Sequence, residues 1–286
     1  MQAHTQQLLE RVLGTPIKSI RSLSGGDIAN AYLIETSTQR LFCKIMPGES
    51  GLTMLHAEME GLKQIRDSGS IKAPQVYFCE DLNGEACLGM EYIDSKNPTP
   101  GEMRKFGEQL AQLHAISSKF FGFHSDNFIG SLPQSNKQKS SWLSFYVEER
   151  LLPQFKMALS NSLIRADEIP DSEEMAEALS PYLNDVSPSL LHGDLWSGNY
   201  LISNSGEPYL IDPAIYYGDP VVDLAMTRLF GGFGGEFYQA YSTNAKASKH
   251  EEDKIQLYQL YYLLVHLNLF GSSYYSGVRR IMDAYF

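Results

Sequence analysis

The sequence predicts an α+β protein with two lobes: a small one with a five-stranded antiparallel sheet and one main helix, and a larger, mainly helical one. Short runs rich in Ile, Leu, Tyr and Phe alternate with turn residues over residues 17–93, which is typical of a meander of strands. Apolar residues at helical spacing dominate after residue 100. We therefore expect an amino-terminal lobe over residues 1–93, a carboxyl-terminal lobe over residues 94–286 and a hinge at about residues 90–100.

Periodicity and turn residues predict the elements of the small lobe. Apolar residues recur at helical spacing between residues 5 and 13, and Gly14 and Pro16 end that helix. Strand-like segments follow, and Asn83 and Gly84 form a pair that strongly favours a hairpin turn between the last two. The segments span residues 17–23, 31–36, 40–46, 75–79 and 86–93.

Gly25 and Gly26 lie in the turn between the first two strands. Paired glycines tolerate positive φ and let backbone amides approach an anion closely, so this turn could cover phosphate groups. A plain hairpin turn is the alternative, and the two glycines alone do not distinguish these interpretations.

Lys44 stands inside the third strand with apolar neighbours on both sides. The next helix, predicted over residues 52–66, carries Glu58 within its apolar stripe. A carboxylate on a buried face needs a cation, so we expect an ion pair between Lys44 and Glu58. The alternative is that Glu58 lies at the margin of the stripe and reaches water.

The large lobe is predicted to be built from helices around one long loop. Residues 99–102 fit a capping box that opens a helix, with a proline at the first helical position. His114 lies at the end of this helix and is expected to have a structural role. Residues 120–132 have no period and predict a functional or covering loop. Aromatic residues over 142–155 predict a helix that belongs to the core unless it contacts substrate, and the helix near residues 251–270 is core.

Two aspartates belong to the predicted helix that begins near residue 220. Asp219 is expected to be its N-cap, with Pro220 at the first helical position. Asp223 lies one turn inside on an otherwise apolar helix, so it should accept hydrogen bonds from a neighbouring loop. The loop that contains His192 is the expected donor.

The stretch Leu190–Asn199 places His192, Asp194 and Asn199 behind an apolar lead-in. Asp194 and Asn199 have the spacing with which phosphoryl-transfer enzymes place a carboxylate at the attacking hydroxyl and an amide at a metal ion. Asp212 follows a short apolar run, so a strand end should deliver a second carboxylate. Such oxygen ligands suit Mg²⁺ carrying phosphates. A hairpin with polar turn residues is the alternative interpretation.

Composition and charge narrow the classes of partner. The chain has 43% hydrophobic and 20% charged residues, as an ordered globular protein does. Its 23 basic and 34 acidic residues give a net charge of −11, which disfavours nucleic acid and mildly favours cationic substrates, although acidity also serves solubility. Cys43, Cys79 and Cys87 show no metal or redox spacing and are expected to be buried thiols. With no targeting segment or membrane span, we expect a cytoplasmic monomer without a membrane partner.

In chain order, these features reproduce the parts of an ATP-dependent phosphotransferase with a bilobal protein-kinase-like fold. The sequence His-Gly-Asp at 192–194 replaces the His-Arg-Asp of protein kinases, and Asp-Pro-Ala at 212–214 replaces Asp-Phe-Gly. His-Gly-Asp resembles the aminoglycoside and choline phosphotransferase superfamily of small-molecule kinases.

Longer strings resemble the fructosamine kinase, or ketosamine 3-kinase, family, and the resemblance runs from about residue 5 to the carboxyl end. The strings are Leu191–Asn199, Ile211–Ala214, Tyr217–Ala225, Phe121–His124 and Asn127–Gly130. Some relatives carry a cysteine after the paired glycines where this chain has Asp27. The resemblance therefore does not extend to a redox switch in that turn.

The resemblance implies transfer of the γ-phosphoryl group of ATP to the C3 hydroxyl of a ketosamine, which then decomposes and frees its amine. The ketosamine would be a fructosamine, a ribulosamine or an erythrulosamine, either free or attached to a protein. Asp194 would orient the hydroxyl and accept its proton, while Asn199 and Asp212 would hold Mg²⁺. Trp196 would pack against the sugar, although a tryptophan that braces the loop is as good an interpretation.

The remaining implied roles concern ATP and the support of the catalytic loop. Lys44, oriented by Glu58, would bind the α and β phosphates, and the paired glycines would close over them. His192 and Asp223 would support the loop. The backbone of the hinge would hold adenine, through Met90, Glu91, Tyr92 and Ile93. The alternatives are a kinase for an aminoglycoside, choline or another hydroxylated amine, and a kinase-like protein that binds nucleotide without transferring phosphate.

Overall fold

The computed structural model describes residues 3–23 and 29–286, so Gly25 and Gly26 lie outside the described residues. The chain divides into two compact units. The first unit comprises Met1–Pro98 and Leu201–Asp212, and the second comprises Thr99–Tyr200 and Pro213–Phe286. The boundary after residue 93 stays a prediction from the sequence.

The strands and helices are numbered in chain order. The strands are β1 (Ser19–Leu23), β2 (Asn30–Glu35), β3 (Arg40–Pro47), β4 (Val76–Asp81), β5 (Glu85–Glu91), β6 (Ser95–Lys96), β7 (Asn127–Ile129), β8 (Leu132–Gln134), β9 (Ser189–Leu191), β10 (Tyr200–Ser203), β11 (Pro208–Leu210) and β12 (Tyr216–Gly218). The α-helices are α1 (Ala3–Leu13), α2 (Gly48–Asp67), α3 (Pro100–His114), α4 (Trp142–Phe145), α5 (Leu152–Ser160), α6 (Ser172–Leu183), α7 (Val221–Leu229), α8 (Gly235–Asn244), α9 (Glu251–Phe270) and α10 (Tyr275–Tyr285).

A five-stranded antiparallel sheet in the order β1-β2-β3-β5-β4 forms the centre of the first unit, which confirms the prediction. Asn83 adopts a φ of 60° in the turn between β4 and β5, as its Asn-Gly pair predicted. Helix α2 packs on β4 and β5 and buries Leu55, Leu62 and Ile65. A smaller sheet in the order β11-β10-β6 carries the chain towards Asp212.

The three cysteines of the first unit are free thiols, but the prediction that all are buried is wrong for Cys79, which lies on the edge strand β4. Cys43 and Cys87 are buried on β3 and β5, with their Sγ atoms 2.8 Å apart. Cys79 is half-buried, and burial raises the pKa of its thiol to about 12. A thiol with so high a pKa is a poor nucleophile at neutral pH.

The second unit is mainly helical, and the start of its first helix agrees with the prediction. The Thr99 side chain accepts a hydrogen bond from the backbone of Glu102, and the Glu102 side chain accepts one from the backbone of Thr99, which completes the capping box. Pro100 occupies the first turn, where its missing N–H costs nothing. The side chain of His114 is buried at the other end of this helix.

The continuous α-helix predicted over residues 142–155 is wrong, because a π-helical turn over Tyr146–Leu151 separates α4 from α5. Pro153 provides the physical reason, since it has no N–H to donate to the carbonyl of Glu149 one turn earlier. Nη1 of Arg150 donates to that carbonyl at 2.9 Å instead. The Arg150 guanidinium lies 4.0 Å from the ring centre of Tyr216.

The helix α7 begins at Val221, and Asp219 caps it as predicted: its Oδ1 accepts a hydrogen bond from the Val221 amide at 3.0 Å, while Pro220 already has helical φ and ψ of −56° and −23°. The Asp219 carboxylate is buried and accepts hydrogen bonds from Nζ of Lys254 at 2.8 Å and from the hydroxyl of Tyr258 at 2.7 Å. Both donors come from α9, so a buried ion pair joins α9 to the start of α7.

Among the described helices, none is long and apolar enough to cross a bilayer.

Candidate active site

Lys44 meets two carboxylates within the first unit. Its Nζ lies 2.8 Å from Oε1 of Glu58 on α2 and 2.5 Å from Oδ1 of Asp212. The side chains of Lys44 and Glu58 are 13% and 14% exposed, whereas that of Asp212 is 41% exposed. The structure thus brings together the predicted lysine and glutamate and adds an aspartate that lies 168 positions from the lysine.

Burial and neighbouring charges shift the pKa values of Lys44 and Glu58 in this cluster. Burial lowers the pKa of Lys44, but the charges of Asp212 and Glu58 raise it by more, so the ammonium stays protonated. Burial raises the pKa of Glu58 to about 7; Lys44 opposes that rise and the charge of Asp212 adds to it. The two carboxylates thus keep Lys44 charged, while burial and the Asp212 charge make Glu58 a weaker acid than usual.

We expect Glu58 to make the unfolding free energy fall with pH in the metal-free protein. Because its folded pKa of about 7 exceeds the ordinary value of 4.5, the folded chain binds more protons between these values. The stabilisation is complete below about pH 4.5 and is lost as pH rises through about 7. Urea unfolding of the wild type and Glu58→Gln at pH 5–8 measures it. The wild type should lose on the order of 2–3 kcal/mol relative to the variant over that range, and a constant difference would contradict the assignment.

The backbone at Asp212 has a conformation that residues other than glycine rarely adopt. Asp212 has a φ of 53°, in the left-handed region, although it is not a glycine. The chain before it is fixed, because the Leu210 amide donates to the Lys72 carbonyl at 2.9 Å in the first unit. Such conformations persist where surrounding structure holds them, and they cluster at functional sites.

The predicted hinge residues lie at the end of β5 and just after it. Met90 is buried within the sheet, where it pairs with Phe42 and Val76. The Glu91 amide donates to the Gln75 carbonyl at 2.8 Å, so this amide already has an acceptor. Backbone groups at residues 92–93 are therefore better candidates than the Glu91 amide for contacting an adenine.

The guanidinium of Arg40 covers the ring of Tyr92, at 4.5 Å from the ring centre. The same guanidinium forms an ion pair with Asp94 at 2.6 Å. Ile93, the last predicted hinge residue, is half-buried.

The backbone of His192 and Gly193 is held on every side within the second unit. Both amides donate to the carboxylate of Asp223, at 2.8 and 2.9 Å. The His192 carbonyl accepts from the Ala214 amide at 2.9 Å, and the Gly193 carbonyl accepts from the Tyr262 hydroxyl at 2.8 Å. The predicted contact between Asp223 and this loop is therefore present.

Only glycine fits at position 193. Its φ is +84°, and a Cβ there would lie 2.1 Å from the Ala214 carbonyl oxygen. The close approach brings the stretch Leu190–Asn199 against the segment that follows Asp212 in sequence, within the second unit. The requirement for glycine in the His-Gly-Asp motif is therefore steric.

Asp194 follows directly and is half-buried. Its backbone amide donates to Nδ1 of the buried His192 ring at 3.2 Å. Nδ2 of Asn199 lies 2.8 Å from the Asp194 carbonyl oxygen and 3.2 Å from its carboxylate Oδ2. The structure thus brings together Asp194 and Asn199, as their spacing predicted.

Trp196 both braces the loop and is open to solvent. A Cβ at Gly198 would come within 2.4 Å of the indole ring, so the ring lies over the glycine backbone. Trp196 is nevertheless 39% exposed. The geometry therefore accommodates both interpretations that the sequence left open.

Sequence reasoning missed two residues that support the loop. His114 bonds Asp223 through Nε2 at 3.1 Å and Tyr241 through Nδ1 at 2.8 Å. Burial alone would raise the pKa of Asp223, but His114 and the loop amides lower it below its usual value, so this carboxylate is ionised. Tyr262 is the second missed residue. In the sequence, the only signal for the contacts of His114 and Tyr262 is that each has a polar group within an otherwise apolar helix face.

The predicted metal ligands, Asn199 and Asp212, belong to different units. Over residues 3–23 and 29–286, no group of three or more His, Cys, Asp or Glu side chains forms a cluster that could hold a metal ion. The predicted pair consists of an amide and a carboxylate, so the motif rather than a cluster of acids supports the magnesium assignment.

A family model described as fructosamine kinase matches residues 1–286. The chain belongs to the fructosamine kinase family. A "Probable ketoamine kinase" from Enterococcus faecium is 37% identical over 264 residues, which cover 91% of this chain and 92% of that protein. A "Protein-ribulosamine 3-kinase, chloroplastic" from Oryza sativa subsp. japonica is 36% identical over 286 residues, which cover 98% and 82% of the two chains.

A solved structure from Haemophilus somnus, provisionally named a fructosamine-3-kinase, has a TM-score of 0.88 at 29% identity and covers 98% of this chain and 96% of that one. A spectinomycin phosphotransferase has a TM-score of 0.60 at 19% identity, with 100% and 94% coverage, and shares the fold. The protein-kinase-like α+β fold is thereby confirmed. As a member of this family, the protein is a kinase, a phosphotransferase that acts on a hydroxyl group of a ketosamine.

Proposed function

We propose that the protein transfers the γ-phosphoryl group of ATP to the C3 hydroxyl of a ketosamine and so starts its deglycation. One observation carries this proposal: the backbone of His192 and Gly193 is hydrogen-bonded by Asp223, Ala214 and Tyr262. This held backbone positions Asp194, the next residue. Phosphoryl transfer depends on such positioning more than on a strong base. Family membership supports a ketosamine, either free or protein-bound, as the acceptor.

Asp194 is proposed to orient the acceptor hydroxyl and to accept its proton. A carboxylate suits this role because the attacking oxygen becomes more acidic as its bond to phosphorus forms. Trp196 is proposed to pack against the sugar with the exposed part of its ring, while the rest braces the loop at Gly198.

Lys44 is proposed to bind the α and β phosphates, with Glu58 orienting it. Its ammonium is held by two carboxylates, which fixes its direction before nucleotide binds. Gly25 and Gly26 are proposed to cover the phosphates, and Met90, Glu91, Tyr92 and Ile93 to form the adenine-binding segment; the sequence motif and the family support both assignments.

Asn199 and Asp212 are proposed to hold Mg²⁺. The donor chemistry fits, because both side chains offer hard oxygen ligands. When bound, Mg²⁺ would neutralise phosphate charge during transfer. The side chains of this chain supply orientation and proton acceptance.

A substrate panel tests the proposal. The purified protein is incubated with ATP, Mg²⁺ and, in turn, fructosyl-, ribulosyl- and erythrulosyl-amines, free and protein-bound, with an aminoglycoside and choline as comparison acceptors. We expect ADP formation that depends on at least one ketosamine. Turnover only with the comparison acceptors, or nucleotide binding without any turnover, would reject it.

A further inference from the structure

Tyr262 of α9 is a fully buried tyrosine whose hydroxyl has a specific acceptor. It donates to the carbonyl oxygen of Gly193 at 2.8 Å, across 69 positions of sequence. Burial raises the pKa of its phenol well above the usual value, so the group stays protonated and remains a donor. The neighbouring polar groups on α9 bond elsewhere, Tyr258 to Asp219 and Tyr261 to Gln134.

The acceptor belongs to the peptide group that joins Gly193 to Asp194. This peptide group has one carbonyl and one amide, and each is bonded: the carbonyl by Tyr262, and the amide by Nδ1 of His192 at 3.2 Å. Bonds on opposite edges resist rotation of the peptide plane. Because the Cα of Asp194 is attached to that plane, its rotation would redirect the carboxylate.

The preceding peptide group is held without Tyr262. Its carbonyl, from His192, accepts from the Ala214 amide, and its amide, from Gly193, donates to Asp223. Removing the Tyr262 hydroxyl would therefore release one edge of a single peptide group and leave the rest of the loop bonded.

We infer that Tyr262 is a positioning residue for phosphoryl transfer, which acts through the Gly193–Asp194 peptide group on the direction of the Asp194 carboxylate. The inference rests on the proposed role of Asp194. A purely structural tyrosine would contribute stability alone, whereas a positioning residue also sets the rate of the chemical step.

The experiment compares Tyr262→Phe with Tyr146→Phe. Tyr146 is a matched control, because it is also buried and its hydroxyl donates to a backbone carbonyl, that of Leu257, at 2.7 Å. Each variant removes one buried hydroxyl donor; because the Leu257 carbonyl lies inside α9 and keeps an amide one turn later as donor, Tyr146→Phe should lose no more stability in urea unfolding than Tyr262→Phe. Steady-state kinetics use the ketosamine that the wild type phosphorylates fastest.

We expect Tyr262→Phe to lower kcat about tenfold with KM for ATP and ketosamine changed by less than about twofold, and Tyr146→Phe to keep the wild-type kcat. In an Asp194→Asn background, Tyr262→Phe should cause no further loss, because the group through which it acts is already removed. An unchanged kcat in Tyr262→Phe, an equal loss in both tyrosine variants, or a further tenfold loss in the double variant would each overturn the inference. If Asp194→Asn alone keeps the wild-type rate, the proposed role of Asp194 fails instead.

Discussion

The Asp194→Asn protein is expected to lose roughly 100-fold or more of the phosphoryl-transfer rate while it binds nucleotide as the wild type does. The amide that replaces the carboxylate cannot accept the proton of the acceptor hydroxyl. The loop should keep its shape, because its bonds to Asp223, Ala214 and Tyr262 involve the backbone of His192 and Gly193. Single-turnover transfer to a ketosamine, together with titration of an ATP analogue, measures the two effects.

Lys44→Met is the reciprocal control for that measurement. It removes the cation that lies between Glu58 and Asp212, so nucleotide affinity should fall and Asp194 stays intact. If Asp194→Asn transferred phosphate at the wild-type rate, the assignment of Asp194 would be abandoned.

Asp223→Asn is expected to reduce both stability and rate. The carboxylate accepts from the amides of His192 and Gly193 and from His114, and it is fully buried. An asparagine offers one acceptor oxygen and points an N–H₂ group at a donor, so a buried amide loses its acceptor. The cost is about 1–3 kcal/mol, and a misdirected loop should lower kcat about tenfold or more.

Asp219→Asn separates the two effects, because Asp219 is an equally buried carboxylate that bonds Lys254 and Tyr258 rather than the catalytic loop. It should lose stability and keep its rate per folded molecule. Urea unfolding and kcat, corrected for the folded fraction, provide the comparison. Equal losses of kcat in the two variants would show that Asp223 contributes only to stability.

Local patterns predicted the elements and the short-range parts of the site. The capping box from Thr99 to Glu102 and the turn at Asn83 depend on neighbouring residues alone. The pairing of Lys44 with Glu58 followed from strand and helix periodicity, because the two elements are adjacent in the chain. Such contacts need little knowledge of the tertiary fold.

Contacts between distant segments could not be derived in that way. Asp212 reaches Lys44, and His114 reaches Asp223, across 168 and 109 positions. Tyr262 belongs to a helix that the sequence predicted to be core, and only the packing of α9 shows where its hydroxyl points. The break in the helix is different, because Pro153 in the sequence signals it, but periodicity does not reveal that the Arg150 side chain bonds the Glu149 carbonyl.

The position of the transferred phosphate tests the central claim most directly. The protein is incubated with ATP, Mg²⁺ and fructosyl-lysine, and the product is followed by ³¹P NMR with proton correlation, while free lysine is assayed in parallel. The account predicts a phosphate ester on the C3 hydroxyl, whose decay releases free lysine. A phosphate on another hydroxyl, or a stable product that releases no amine, would contradict it.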